Sequence, residues 1–87
     1  MRQPGFQEYI RLCIDAADQI EDIKKERSNR LKLQGVTPST IYAGMIHLLS
    51  KKKGYSITQR QIAFIMGKRE ASIRHGAKIL KELQWET

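Results

Sequence analysis

The chain has 87 residues, 40% of them hydrophobic, which suits one domain with one modest core. Its formal charge is +7, and its only cysteine, Cys13, excludes an intrachain disulfide and a cysteine-based metal site. Its apolar runs are far too short to span a membrane, and the first ten residues carry no signal-peptide core. These features lead us to expect an intracellular protein, cytoplasmic or nucleoid-associated.

The first helix is expected from near Phe6, after the break at Pro4-Gly5. Phe6, Ile10, Cys13, Ala17 and Ile20 recur every three or four residues, and Tyr9, Ile14 and Ile23 widen that stripe into a core face. Glu21→Lys25 and Glu26→Arg30 are i,i+4 ion pairs on the outer side. Regularity fades around Ser28-Asn29, and Gln34-Gly35 closes the segment. About 25 residues is long for one helix in a small domain, so a break is anticipated.

The next helix has Thr37 as its N-cap and Pro38 in the first helical position, where no N–H is needed. Ile41, Met45 and Leu48-Leu49 form its buried stripe, with Tyr42 and Ile46 beside them. Lys51, Lys52 and Lys53 suit the negative end of the helix dipole, and Gly54 suits a left-handed termination. A further helix starts with a Thr58-x-x-Gln61 capping box and an Ile57/Ile62 hydrophobic staple. Ile62, Ala63, Ile65 and Met66 make its apolar face, and Gly67 ends it. The last helix runs from about Glu70 to Trp85, with Ile73, Ala77, Leu80 and Leu83 inward. No β-alternation of useful length occurs. The expected fold is all-α, one domain over residues 1–87 with four to five helices.

Charge is distributed unevenly. Residues 50–87 carry Lys51, Lys52, Lys53, Arg60, Lys68, Arg69, Arg74, Lys78 and Lys81 against Glu70, Glu82 and Glu86, whereas residues 1–49 are nearly balanced. A surface of this kind attracts nucleic-acid phosphate. Within that half, residues about 58–84 satisfy the spacing of a helix-turn-helix. Counting from Gln59, the small residue for a close crossing falls fifth (Ala63), the turn glycine ninth (Gly67) and the β-branched anchor fifteenth (Ile73). Lys68, Arg69, Ser72, Arg74, His75 and Lys78 are basic or hydrogen-bonding positions around the second helix. Gln59 and Arg60 stand at a helix N-terminus, where backbone N–H groups favour phosphate. The expected mechanism is insertion of the 70–84 helix into the major groove. Arg74 leads because a guanidinium bonds guanine O6 and N7 together. Lys51, Lys52, Lys53, Arg60, Lys68 and Lys78 contact phosphates.

From Gly35 onward the chain resembles a cyclin-fold repeat of transcription factor B, the initiation factor that partners the TATA-binding protein. The resemblance rests on Gly-x-Thr-Pro-Ser before Ile-Tyr-Ala, then Ile-Thr-Gln-x-x-Ile-Ala, a glycine, Ser-Ile-Arg and Lys-Glu-Leu, over about residues 35–83. It implies a five-helix cyclin-like fold whose helix-turn-helix reads a promoter element beside the TATA box. It places the base-contacting arginine on Arg74 and a neighbouring apolar contact on Ala71. The chain departs from the family in having one repeat, no zinc ribbon, and Lys68, Arg69, Gly76 and Ala77 where the family has a valine, a serine, an arginine and a tyrosine.

The expected function is therefore sequence-specific binding of double-stranded DNA by a transcription regulator or transcription factor B-like protein. Its partners are DNA and, through the resemblance, the TATA-binding protein or another transcription protein; a homodimer is a further candidate. Two other readings are a cyclin-like protein-interaction module and a nonspecific DNA packager. No Ser/His/Asp set, glycine-rich phosphate loop or metal-ligand spacing points to an enzyme, a cofactor or a metal. His47 reads as a helix-edge residue and Cys13 as a small core residue. Asp15, Asp18, Glu21 and Asp22 read as a solvated helix face or a partner-binding one, and Trp85 as a helix-end packing residue or a dimer contact.

Overall fold

The computed structural model describes residues 3–83. Among them are five helices: α1 (Phe6–Lys24), α2 (Arg27–Leu33), α3 (Pro38–Lys52), α4 (Gln59–Met66) and α5 (Glu70–Glu82), and no strand. Most start and stop where the sequence signals lie. The Glu8 carboxylate accepts a hydrogen bond from Gly5 N–H (3.0 Å) ahead of α1. At α4, Thr58 Oγ1 accepts from Gln61 N–H (3.1 Å) while Gln61 Oε1 accepts from Thr58 N–H (2.9 Å), and Ile57 and Ile62 are both buried. Gly35, Gly54 and Gly67 follow α2, α3 and α4 at positive φ.

The anticipated break in the first long segment falls at Lys25-Glu26, before Ser28-Asn29, which lie inside α2. The Ile23 carbonyl, which accepts the Glu26 N–H at the break (3.4 Å), also accepts from the Asn29 amide (3.2 Å). Lys25 pairs with Asp22 at 3.1 Å, a three-residue spacing in place of the expected pairing with Glu21. The last helix closes at Glu82; residue 84 and Trp85 lie outside the described residues.

α3 is the centre of the molecule. Besides its expected stripe it buries Thr40, Ala43, Gly44, His47 and Ser50, so it is enclosed nearly all round. α1 packs on one side of it, α5 on another, and α4 bridges α3 and α5. His47, expected at a helix edge, is only 8% exposed because α4 and α5 close over that side. Tyr42 Oη donates to the Cys13 carbonyl (2.8 Å), and Lys53 pairs with Asp15 at 2.6 Å, fastening α1 to α3. Burial first, and the neighbouring Cys13 thiol second, push Tyr42 up to about 12, so it stays a donor. At the start of α1, Tyr55 Oη donates to Glu8 and the Gln3 amide donates to the Ser56 carbonyl.

The core face of α1 is rotated from the expected stripe. Leu12, Ala16, Ile20 and Ile23 are buried, with Tyr9 and Cys13 half-buried, whereas Phe6, Ile10, Ile14 and Ala17 are exposed. The apolar residues of α1 cover more than one face, and α3 covers only the arc centred on Leu12 and Ala16. On α4, Ile65 is exposed for the same reason, since α3 and α5 cover only the Ile62–Ala63 side.

α5 sits on α3 at backbone distance. A Cβ added to Gly76 would lie 2.3 Å from the Thr40 carbonyl oxygen, and one added to Gly44 would lie 2.5 Å from Ala77 N. Two glycines therefore let the two backbones touch where any side chain would hold them apart. Gly76 and the Ala77 backbone form the α5 side of this contact, and Thr40 and Gly44 the α3 side.

Candidate nucleic-acid interface

The α4–α5 corner is built by local chemistry. Gly67 adopts φ +65°, and Lys68 N–H donates to the Ala63 carbonyl (2.8 Å), closing the end of α4. Lys68 and Arg69 then lead into α5, where Ile73 is fully buried, as is Ala63 nearly so. The three residues fixed by spacing thus take the positions that a close helix crossing needs: a small buried residue, a left-handed turn and a buried anchor.

With Ile73, Gly76, Ala77 and Leu80 turned inward, helical geometry turns Ala71, Arg74, His75 and Lys78 outward, and all four are exposed. Ser72 is half-buried at the other flank, where Ala71, Ser72 and His75 face Thr37 and Thr40 across a shallow cleft. On the Arg74 side, Lys81 joins Lys51 and Lys52 at the end of α3. Arg60 and Arg69 are exposed, and Lys68 is half-buried by the turn it closes. Lys53 is the residue the structure separates from the others: its ammonium is turned to Asp15 on α1.

Arg74 is held from beneath. Its Nη1 donates to Gln59 Oε1 (3.3 Å), and Gln59 Nε2 lies 3.3 Å from His47 Nε2. The amide donates at that end, so His47 Nε2 is the bare nitrogen and the proton of the neutral ring sits on Nδ1. Nδ1 is buried and has no partner among the described residues. Burial lowers the His47 pKa, and Lys51 and then Lys81 lower it further. A neutral histidine, an amide and a guanidinium thus form a chain from α3 through the start of α4 to the outer face of α5.

Sequence reasoning missed His47 and Lys81 here. Lys81 was legible, since Arg74, Lys78 and Lys81 stand at i, i+4 and i+7 on one helix. His47 was not, because its burial follows from tertiary packing of α4 and α5. No metal-binding group of His, Cys, Asp and Glu side chains occurs among the described residues, and no described helix is long and apolar enough to cross a membrane. Compared with known proteins, the chain matches no family model, no curated protein and no solved structure.

Proposed function

We propose that the chain is a sequence-specific double-stranded DNA-binding protein that reads the major groove with α5, as a helix-turn-helix transcription regulator does. The observation that carries this reading is the outward face of α5. Ala71, Arg74, His75 and Lys78 project from a helix whose inner face is locked on α3, and Lys51, Lys52 and Lys81 flank it. A rigid helix with a short apolar residue, a guanidinium and an imidazole on its exposed side fits base edges, and the surrounding ammonium groups fit phosphates. Arg74 is the base-reading residue, with Ala71 and His75 beside it. Arg60, in the first turn of α4, and Lys51, Lys52, Lys68, Arg69, Lys78 and Lys81 are phosphate contacts.

The resemblance to transcription factor B supports the same reading, since it implies five helices and a reading arginine at Arg74. A role beside the TATA-binding protein is the finer form of this proposal and rests on that resemblance alone. Retardation-gel titration of the chain on a duplex selected from a random pool, and on a scrambled duplex, at two salt concentrations tests the reading. Preference for the selected duplex is expected, with a salt slope equivalent to roughly four to six phosphates. Equal affinity for both duplexes means a nonspecific packager; no salt-dependent affinity for either leaves the interaction-module reading.

A further inference from the structure

Arg74 is exposed, and a long side chain in solvent moves through many rotamers. Base reading needs its guanidinium in one place, because the two-pronged contact is planar and directional. Among the described residues its hydrogen bond is to Gln59 Oε1 (3.3 Å). Gln59 opens α4 and is half-buried, and the Thr58–Gln61 capping box around it fixes its backbone. A guanidinium only donates, so the amide must turn its oxygen to Arg74 and its N–H to His47 Nε2 (3.3 Å).

His47 gains little for the core by being there. It is only 8% exposed, and its Nδ1 is buried with no partner among the described residues. A buried polar atom left unpaired costs stability that an apolar side chain of similar size would keep. The polar contact that this ring makes is with Gln59, and through Gln59 it bears on Arg74.

We propose that Gln59 is a positioning residue for base reading by Arg74, and that His47 fixes which end of the Gln59 amide the arginine meets. The inference rests on the DNA-binding reading of α5 and adds to it a specificity that acid weakens. The charged groups facing the ring are Lys51 on α3 and Lys81 on α5, with Arg74 of α5 behind the amide; α4 presents the uncharged Gln59. Burial and these cations keep the ring neutral, with Nε2 free to accept. When acid puts a proton on Nε2, two donors meet. The amide then turns its oxygen to His47 and its N–H groups to Arg74, and the guanidinium is released.

Retardation-gel titration on the selected and random duplexes, at neutral pH and at several values below 6.5, tests the inference. Gln59→Ala should cut the neutral preference for the selected duplex about three- to tenfold, the worth of holding one long side chain, with random affinity and melting close to the wild type. Gln59→Ala combined with Arg74→Ala should lose no more than Arg74→Ala alone, because Gln59 acts through the arginine. His47→Met, which removes the acceptor, should lower the preference at every pH. His47→Gln, whose amide oxygen accepts without titrating, should rescue it and flatten its decline in acid. His75 is present in both histidine variants and in the wild type, so the difference in profile belongs to His47. A wild type with no preference at neutral pH would overturn the DNA-reading proposal and this inference with it. With that preference in place, equal losses on both duplexes in Gln59→Ala, additive losses in the double variant, or parallel pH profiles for the wild type and His47→Gln would overturn this inference alone.

Discussion

α1 and α5 are both amphipathic helices seated on α3, yet they are seated in different ways. α1 rests on side chains, Leu12, Ala16, Ile20 and Ile23, helped by the Tyr42 and Lys53 contacts. α5 adds to its buried Ile73, Ala77 and Leu80 a backbone contact through Gly44 and Gly76. Their outer faces differ as well: α1 presents apolar residues and the acids Asp18, Glu21 and Asp22, and α5 presents Arg74, His75 and Lys78. Side-chain packing tolerates small shifts of a helix, whereas backbone contact fixes it. A helix that must hold a guanidinium in register with a base pair gains from the second kind of seat.

The largest effect should come from adding one methyl group at that seat. By helix propensity alone Gly76→Ala should stabilise α5 by about 1 kcal/mol. The contact with the Thr40 carbonyl reverses the sign, and a loss of about 3 kcal/mol or more is expected in a denaturant titration. The matching change on α1, Ala17→Leu at an exposed position, should move stability by less than about 0.5 kcal/mol. A stabilised Gly76→Ala would mean that α5 does not sit at backbone distance from α3.

Thr58→Ala comes next. It removes the acceptor for Gln61 N–H and should cost about 1 kcal/mol, because the start of α4 also positions Gln59. No change in the melting midpoint would mean that α4 is held by packing alone.

A smaller effect is expected from pH. His47 is neutral in the folded chain and its pKa is lowered from 6.5, so the unfolded chain takes up the proton first. Stability attached to this group is complete above 6.5 and is lost as pH falls through the lowered folded value. Protonation would also oblige Nε2 to donate to Gln59, turning the amide that holds Arg74. His47→Gln should melt with a shallower dependence on pH across this window than the wild type. Parallel pH profiles would remove His47 from the chain of contacts under Arg74.

The smallest difference expected lies among three adjacent lysines. Lys51 and Lys52 stand beside Lys81, while Lys53 is engaged by Asp15. Replacing Lys51 and Lys52 by Ala should reduce the logarithmic salt slope of DNA binding by about two, while Lys53→Ala should leave it nearly unchanged. Equal effects from all three would place Lys53 at the phosphates as well.

The C-terminal part of the molecule was more legible in sequence than the N-terminal part, for a physical reason. Caps and turns are local. Thr58, Gln61 and Gly67 act within a few residues of themselves, so the limits of α4 and the start of α5 follow from sequence alone. The core face of α1 does not. Phe6, Ile10 and Ile14 are as apolar as Leu12 and Ile20, and only the position of α3 decides which arc is covered. The burial of His47 and the glycine crossing are likewise properties of pairs of helices. Gly44 and Gly76 carry no signal in their own helices beyond a weak propensity, and gain meaning only when brought together. Among the candidate DNA-binding residues, outward placement on α5 followed from the anchor Ile73 by helical geometry. The pairing of Lys53 with Asp15 was not legible because the two lie 38 positions apart in the chain.

Whether α5 reads bases through Arg74 is decided by the affinity of Arg74→Ala for the selected duplex and for random duplex. A loss of about 1–3 kcal/mol is expected on the selected duplex, with a much smaller loss on random DNA and relaxed preference at one base pair. Arg74→Lys should also lose discrimination, because an ammonium cannot make the planar two-pronged contact. The melting temperature should hold in both variants, since Arg74 is exposed. Equal losses on selected and random duplexes would reduce Arg74 to a phosphate contact and leave α5 without a base-reading residue.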